Sequence, residues 1–299
     1  MNMPLDVFLV ALYTLVDDGY QERGVHLLAG KVGKKPEFSD SEVRTLSIAQ
    51  HGCGFQKEEA WLRFVRCNFS PFFPRLLEQS QFNRRARCLC WLMNQMRLEL
   101  VGKMGAFEQQ YRLIDGTPIH VRHWRRFGKT HLMLPNAALG YCAAKKETYY
   151  GYRLLVLTTL SGIITDWELI PANADEREAA LDLFYEYRNL KGLGDKGFLD
   201  KERQAALRAD RNVHLLTPKR SNQKQQNPAD WDALMNRVRR LIETTFSQAK
   251  EFFDLEEPAA ITEWGVISRT IAKLTGLTIA ACINQQKGCS PLVLAGFSF

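Results

Sequence analysis

The spacing of apolar residues changes near residue 111, and this change limits the folds that the chain can adopt. Before that point, segments such as LDVFLVALYTLVDD and FSDSEVRTLSIAQHG carry apolar residues at the spacing of amphipathic helices. After it, YRLIDGTPIHV and YYGYRLLVLTTLSGIITDWELIPA have the composition of buried strands. Further strand-like and helix-like segments then alternate. This order predicts an all-α region over residues 1–105 and a three-layer α/β domain over residues 106–299.

The second region can be divided into individual elements. We expect the first strand to end in the turn-type residues DGTP, and the next two strands to form a hairpin closed at Ser161 and Gly162. The remaining segments predict two short strands, LKGLGD and VHLLTPK, and the amphipathic helices DEREAALDLFYEYRNL and DKERQAALRAD. A long helix around Glu243 follows these elements.

Length and composition exclude several classes of protein. A chain of 299 residues that is 45% hydrophobic can bury a substantial core. No uninterrupted apolar run reaches the roughly 18 residues of a membrane span, and the N-terminal sequence lacks the features of a signal peptide. The seven cysteines are odd in number and form no CxxC pair, which favours free thiols. We therefore expect a soluble cytoplasmic protein with no membrane partner.

Positive charge is concentrated in two zones of this basic chain, whose formal net charge is +7. Residues 57–103 contain nine Lys or Arg against four Glu, and residues 111–153 contain eight against two acidic residues. Either zone alone is compatible with a solvated surface. Together they predict a polyanionic partner such as DNA.

Four polar side chains mark the N-terminal part of a helix in the first basic zone. Asn83, Arg84, Arg85 and Arg87 precede an apolar continuation in SQFNRRARCLCWLMNQMRLEL. Helix-turn-helix modules bring such a turn to DNA phosphates and base edges. The sequence is equally compatible with a helical bundle that has a solvated basic turn, so both interpretations stay open here.

Two aspartates follow strand-like segments in the second region. Asp115 lies near the end of the first strand, and Asp195 follows the strand LKGLGD. Functional groups in α/β sheets gather at strand ends, so these two carboxylates are candidates to face one crevice. Each aspartate alone is also a common turn or loop residue.

The long helix adds a third carboxylate within a cationic stripe. At about 100° per residue, Asn236, Arg239 and Lys250 all lie within roughly 40° of Glu243. The opposite, apolar arc is predicted to comprise Leu234, Val238, Leu241, Ala249 and Phe252. A surface ion pair is the simpler explanation, but Arg four residues before Glu is the less favourable order in a helix. A site that needs both a carboxylate and phosphate-binding cations explains the stripe better.

These residues resemble the DDE transposases of bacterial insertion sequences. Asp115, Asp195 and Glu243 match the family's triad, and Arg239-x-x-x-Glu243-x-x-x-x-x-x-Lys250 matches the signature around its glutamate. FSDSEVRTLSIAQ and SQFNRRARCL further resemble insertion-sequence family nine-eighty-two. Asn236 departs from the signature, which often has Tyr there. The resemblance implies a ribonuclease-H-like catalytic domain, Mg²⁺ dependence, and action on the ends of its own element by a homo-oligomeric complex.

The chemistry of phosphodiester cleavage agrees with this resemblance. Two divalent cations about 3.5–4 Å apart can activate the nucleophile and neutralise the leaving oxygen. Three acids suffice because Mg²⁺ also takes water and phosphate oxygens as ligands. We expect Asp115 to bridge two Mg²⁺ ions, for which Mn²⁺ can substitute, while Asp195 and Glu243 each complete one. Arg239, Lys250 and Lys196 would then hold the double-stranded DNA of element end and target.

Two other classes of protein share some of these sequence features. A haloacid-dehalogenase-like phosphatase also has an Asp at the end of its first strand and a loop like GDKGFLD. That chemistry generally needs a second acid two residues after the nucleophile, where this chain has Thr117. The other alternative is a non-catalytic DNA-binding protein derived from a transposase, against which the intact triad argues.

Overall fold

The described residues of the N-terminal part include four α-helices. The computed structural model describes residues 4–24, 36–126, 134–143, 145–198, 200–219 and 228–293. The four helices are α1 (Leu5–Gly19), α2 (Asp40–Gly52), α3 (Glu58–Asn68) and α4 (Gln79–Lys103). Helix α2 begins with a capping box, in which the Ser39 hydroxyl accepts a bond from the Glu42 N–H at 3.1 Å and the Glu42 carboxylate accepts one from the Ser39 N–H. The sequence FSDSE therefore sets the start of this helix.

A mixed sheet and four further helices follow. The strands are β1 (Tyr111–Arg122), β2 (Ala138–Cys142), β3 (Glu147–Thr158), β4 (Ile164–Pro171), β5 (Lys191–Leu193) and β6 (His214–Leu216). The helices are α5 (Glu176–Tyr185), α6 (Lys201–Arg211), α7 (Ala229–Phe253) and α8 (Glu263–Gln286). The mixed α/β class predicted from the sequence is confirmed.

Strand β1 lies at the centre of the sheet. It pairs antiparallel with β3 on one side and parallel with β5 on the other, and β6 follows β5 in parallel. The other edge of β3 is shared between β2 and β4, both antiparallel to it. Helices α7 and α8 pack on one face of this sheet, while α5 and α6 pack on the other. The sheet therefore lies between two helical layers.

The prediction that β1 ends at DGTP is wrong. Asp115 pairs with Val156 and Pro118 with Arg153, so these residues form the middle of the ladder with β3. A Cβ at Gly116 would lie 2.9 Å from the Leu155 side chain, which would then have to shift. Long-range strand pairing thus overrides the local turn preference, as is common for strand propensities.

The N-terminal helices share their core with α8. Ile271, Ile279 and Cys282 of this C-terminal helix are buried in the same apolar cluster as residues of α1 to α4. Arg97 of α4 is also buried and donates hydrogen bonds to the carbonyl oxygens of Ile164, at 2.8 Å, and Thr165, at 3.1 Å. The division at residue 105 stays a prediction, but residues 1–105 do not by themselves supply this whole core.

Helix α8 is also long and apolar enough to cross a membrane by length and composition alone. However, 83% of its apolar window is buried inside the protein. Helix α8 therefore has the position of a core helix in this fold.

Helix α7 packs on the sheet with a slightly different face from the predicted one. Met235, Ile242 and Ala249 are buried against the sheet, whereas Leu234 is 49% exposed. The prediction that Leu234 belongs to the packing arc is therefore wrong. These three buried positions are seven residues apart, or about two helical turns, which places them on a single helical stripe.

Candidate active site

Asp115 lies on the central strand, on the side of the sheet covered by α7. Its Oδ1 accepts a hydrogen bond from the Gly116 N–H at 2.8 Å. Burial raises the pKa of the Asp115 carboxyl to about 6, against the opposing effects of the Gly116 N–H and the Arg239 guanidinium. The negative charges of Asp195 and Glu243 are smaller causes of the same rise. The three predicted acids are therefore close enough to influence one another.

Asp195 is brought beside Asp115 by parallel strand pairing. Leu193, the last residue of β5, is in register with Leu113 of β1, so the chain leaves β5 next to Asp115. The Asp195 carboxylate then accepts a hydrogen bond from the Gly197 N–H. A Cβ at position 197 would lie 2.9 Å from that carboxylate oxygen, so a larger residue there would displace the Asp195 side chain.

Glu243 approaches from α7 and is connected to Asp195 through Arg239. The Arg239 Nε lies 3.2 Å from Glu243 Oε1, and its Nη1 lies 3.6 Å from Asp195 Oδ2. About half of the Arg239 and Glu243 side chains is exposed, at 50% and 53%. Exposed pairs of this kind contribute about 0–1 kcal/mol to stability. The main consequence of these contacts is therefore the placement of a cation between two acids.

A cavity opens where β1, β5 and α7 meet. It has a volume of about 210 Å³ and is lined by Asp115, Asp195, Lys196 and Arg239 together with apolar side chains of the three elements. Lys196 is exposed and belongs to the short 3-10 turn after Asp195. A polyanion that enters this cavity would meet both acids and cations.

The donor set fits a divalent metal ion, although the ligands are not yet arranged around one. Carboxylate oxygens are the ligands that Mg²⁺ prefers, and the raised pKa of Asp115 marks a position where added positive charge is favourable. Within the residues described, no three His, Cys, Asp or Glu side chains are close enough to hold one ion. Arg239 contacts one carboxylate oxygen of Asp195 and one of Glu243, so a cation already lies between these two acids.

Lys250 lies on α7 but has a partner that the sequence did not indicate. Its Nζ is 3.0 Å from Glu256 Oε2, and Lys145 Nζ contacts the same oxygen. The Thr117 hydroxyl donates to the other Glu256 oxygen at 2.9 Å. Glu256 and Lys145 were not among the predicted site residues, because their meeting depends on the loop after α7 folding back onto β1.

Three of the four predicted DNA-binding residues in the N-terminal region have partners within the protein. Asn83 donates to a Glu58 carboxylate oxygen at 3.1 Å, and Arg85 contacts the Asp40 carboxylate and the Phe38 carbonyl oxygen. The Arg87 guanidinium lies 5.8 Å from the centre of the Trp264 ring. Arg84 is exposed. Their role in DNA binding stays a prediction, and only Arg84 presents an exposed side chain.

The region that contains all three acids matches a known family. Residues 106–259, just over half of the chain, match the family model described as "Transposase DDE domain". The chain therefore belongs to this transposase family, and it is a DDE-type transposase, an enzyme that cleaves and joins DNA phosphodiesters. Membership of insertion-sequence family nine-eighty-two stays a prediction.

Other comparisons add little to this assignment. No curated protein sequence matches the chain. One solved structure, "Mos1 transposase paired-end complex with left transposon end", is 12% identical over 93% of this chain and 98% of that chain. Its TM-score is 0.21, which is too low to establish a common fold.

Proposed function

We propose that this transposase binds the terminal inverted repeats of its own insertion sequence and catalyses metal-dependent strand cleavage and strand transfer. The observation that carries the proposal is that Asp195 and Glu243 lie near enough to Asp115 to act on its carboxyl, within the matched DDE region, and that Asp115 and Asp195 line one cavity. Arg239 joins two of these acids and supplies a cation at the same place.

We also propose that residues 106–299 form a ribonuclease-H-like catalytic domain. The order of the strands supports this, because antiparallel β4, β3 and β1 are followed by parallel β5 and β6. The first acid then lies on the central strand and the second directly after its parallel neighbour. The glutamate comes from a later helix that covers the same face.

The three acids would hold two Mg²⁺ ions, with Mn²⁺ as a substitute. When bound, such ions lower the pKa of an attacking water or hydroxyl and neutralise charge on the leaving oxygen. These ions would replace the Arg239 guanidinium at the two carboxylates. The planar guanidinium would then be free to bind a DNA phosphate through two N–H donors. Lys196, which lines the same cavity, contributes a second positive charge.

Recognition of the element ends is assigned to the N-terminal helices. Arg84 is exposed and available for a phosphate, whereas Asn83, Arg85 and Arg87 would have to exchange their present partners for DNA. We expect two element ends to be held by a homo-oligomer in the cytoplasm, since one chain carries a single set of acids.

Variants of the three acids test this proposal. Asp115→Asn, Asp195→Asn and Glu243→Gln should each abolish cleavage of a duplex made from the DNA that flanks the coding sequence. Each substitution preserves shape but removes a metal-binding charge, so DNA binding and the circular dichroism spectrum should change little. Glu251→Gln is a matched control, because Glu251 is an exposed carboxylate on the same helix.

Cleavage at a near wild-type rate by any one of the three acid variants would remove that residue from the catalytic set. A wild-type protein that binds the duplex but never cleaves it would favour the non-catalytic alternative. The phosphatase alternative is set aside by the family match and by Thr117, which lies within a strand and is bonded to Glu256.

A further inference from the structure

A buried carboxylate just beyond the acids holds two lysines that come from different parts of the chain. Glu256 follows α7 and its side chain is only 10% exposed. One of its oxygens accepts a bond from the Thr117 hydroxyl, and the other contacts both Lys145 and Lys250. We call these four residues, Thr117, Lys145, Lys250 and Glu256, the Glu256 clamp.

The Glu256 clamp lies on the same face of the molecule as the acids. Thr117 follows Asp115 by two residues on β1, so both side chains project from one face of the sheet, about 7 Å apart along the strand. Lys250 follows Glu243 by seven residues, which places it about 10 Å further along α7. The clamp therefore extends the row of functional groups away from Asp195 and along the helix.

The distribution of exposure and charge makes the clamp cationic toward solvent. The Lys250 side chain is 53% exposed and that of Lys145 is 31% exposed, whereas the carboxylate between them is buried. Burial alone would raise the pKa of Glu256, but hydrogen bonds from Lys145, Lys250 and Thr117 leave it below its ordinary value. The carboxylate is therefore charged, and two ammonium groups share it.

Each ammonium retains hydrogen-bonding capacity for an external anion. A lysine has three N–H donors, and the contact with Glu256 uses one of them. A single lysine would neutralise the Glu256 charge, so the four residues of the clamp together carry one unit of positive charge, and Glu147 is a further acid near enough to act on Lys250. A phosphate group of a DNA strand has the charge and the acceptor oxygens to complete this arrangement.

We propose that Glu256 is a positioning residue that holds Lys145 and Lys250 as a paired binding site for a DNA backbone phosphate next to the acids. This inference rests on the proposed function, since the strand that binds there is the one presented to Asp115, Asp195 and Glu243. Lys145 thereby becomes a DNA-contacting residue. The turn between β2 and β3, which carries it, becomes part of the DNA-binding surface.

Variants of the full chain test the lysine pair directly. DNA affinity is measured over a range of salt concentrations with a short duplex made from the flanking DNA. Lys145→Ala should reduce the slope of log affinity against log salt by about one, because one phosphate contact is lost. Lys146→Ala is the matched control, since Lys146 is the exposed neighbour in the same turn and forms no ion pair among the described residues. Lys145→Arg should retain most of the wild-type slope.

Glu256→Gln tests positioning separately from binding. The amide keeps the size of the side chain and can still accept the Thr117 bond, but it releases the lysines. We expect DNA affinity to be unchanged or higher, because a negative charge is lost, while single-turnover cleavage slows about tenfold or more through misplacement of the strand. The double variant of Lys145→Ala and Glu256→Gln should cleave no more slowly than the slower single variant.

Several results would overturn this inference. Equal salt slopes and equal cleavage rates for Lys145→Ala and Lys146→Ala would remove Lys145 from the DNA-binding surface. A Glu256→Gln variant with a lower melting temperature and normal cleavage would make the clamp a structural anchor only. If Glu256→Gln does not fold, Lys145→Ala and Lys146→Ala still show whether Lys145 belongs to the DNA-binding surface. If the wild-type protein binds the duplex without cleaving it, the proposed function fails, whereas the salt slopes still test the lysine pair.

Discussion

Replacement of Asp115 by Asn should stabilise the protein at neutral pH in the absence of metal. The Asp115 carboxyl has its pKa raised from 3.8 to about 6 by burial and by two neighbouring carboxylates. Asn keeps the size of the side chain and its oxygen can still accept the Gly116 N–H. The substitution therefore removes an unfavourable charge and little else.

The magnitude follows from the size of the pKa shift. One pKa unit corresponds to about 1.4 kcal/mol, so a shift of about two units corresponds to at most ~3 kcal/mol. The Asp115 side chain is half-buried, and solvent reduces the effect of charge. We therefore expect Asp115→Asn to raise the free energy of unfolding by about 1–2 kcal/mol at neutral pH.

The sign of the pH dependence follows from linkage between protonation and folding. A carboxyl whose pKa is higher in the folded state binds its proton more tightly there, which stabilises the folded protein at low pH. That contribution is full below about pH 4 and is lost as the pH rises through about 6. The difference in free energy of unfolding between Asp115→Asn and wild type should therefore appear between about pH 4 and 6 and persist at higher pH.

Urea unfolding of both proteins in the presence of a chelator, at several pH values, measures this difference in free energy of unfolding. Glu251→Gln, an exposed carboxyl on α7, serves as the control and should show little pH-dependent difference from wild type. Addition of Mg²⁺ should reduce the difference in stability between variant and wild type, because an ion that binds only the folded wild type stabilises it. An Asn variant that is less stable than wild type at neutral pH, or a difference that does not change with pH, would refute the reasoning.

Three further substitutions give distinct outcomes. Arg239→Ala should tighten Mg²⁺ binding measured by calorimetry without DNA, since the guanidinium no longer competes for two acids, and unchanged affinity would contradict this competition. Gly151→Ala should destabilise the fold by about 1–3 kcal/mol in urea unfolding, because its Cβ would overlap the carbonyl oxygen of Ile119. Gly102→Ala is its control, with a nearest contact of 3.7 Å, and an equal effect of both would argue against overlap. Arg97→Met should lower the free energy of unfolding by about 2–4 kcal/mol in urea, because two buried carbonyl oxygens lose their hydrogen-bond donor. A loss of less than half of that would show that water replaces the guanidinium as the donor.

The sequence predicted most elements of the catalytic region because their signals are local. The helical patterns of α5, α6 and α7 predicted helices where the structure has them. The hairpin of β3 and β4 turns at Ser161 and Gly162, where the φ angle of +81° at Gly162 suits glycine. The turn preference of DGTP gave the wrong end for β1, since pairing with β3 decides that segment.

Two elements were missed because their signals are weak or uniform. Strand β2 has only five residues and its pairing partner in this sheet is β3, so its sequence ALGYC carries little information by itself. Helix α8 is buried around much of its circumference, so it lacks the polar face that identifies an amphipathic helix. Its position among α1 to α4 depends on packing between the two ends of the chain.

Contacts across the chain were equally hidden from sequence reasoning. The interpretation of Asn83 and Arg85 as a free basic turn did not anticipate their carboxylate partners, Glu58 and Asp40, which lie on other helices. The stripe on α7 placed Lys250 correctly on the exposed face, but its partner Glu256 lies beyond the end of the helix. Spacing along one helix predicts the face on which a side chain lies, whereas the residue that it contacts depends on tertiary structure.

The unfavourable order of Arg239 and Glu243 suits a site that must change its cation. Within a helix, Arg four residues before Glu forms a weaker pair than the reverse order, and an exposed pair contributes about 0–1 kcal/mol. If a divalent ion binds these acids as proposed, Arg239 would therefore leave Asp195 and Glu243 at little cost in stability. Because α7 packs firmly on the sheet, the guanidinium that is released stays beside the acids, where a DNA phosphate would lie. Under the proposed function, the same helix would supply a metal-binding carboxylate, Glu243, and a phosphate-binding cation, Arg239, with their spacing fixed by one rigid element.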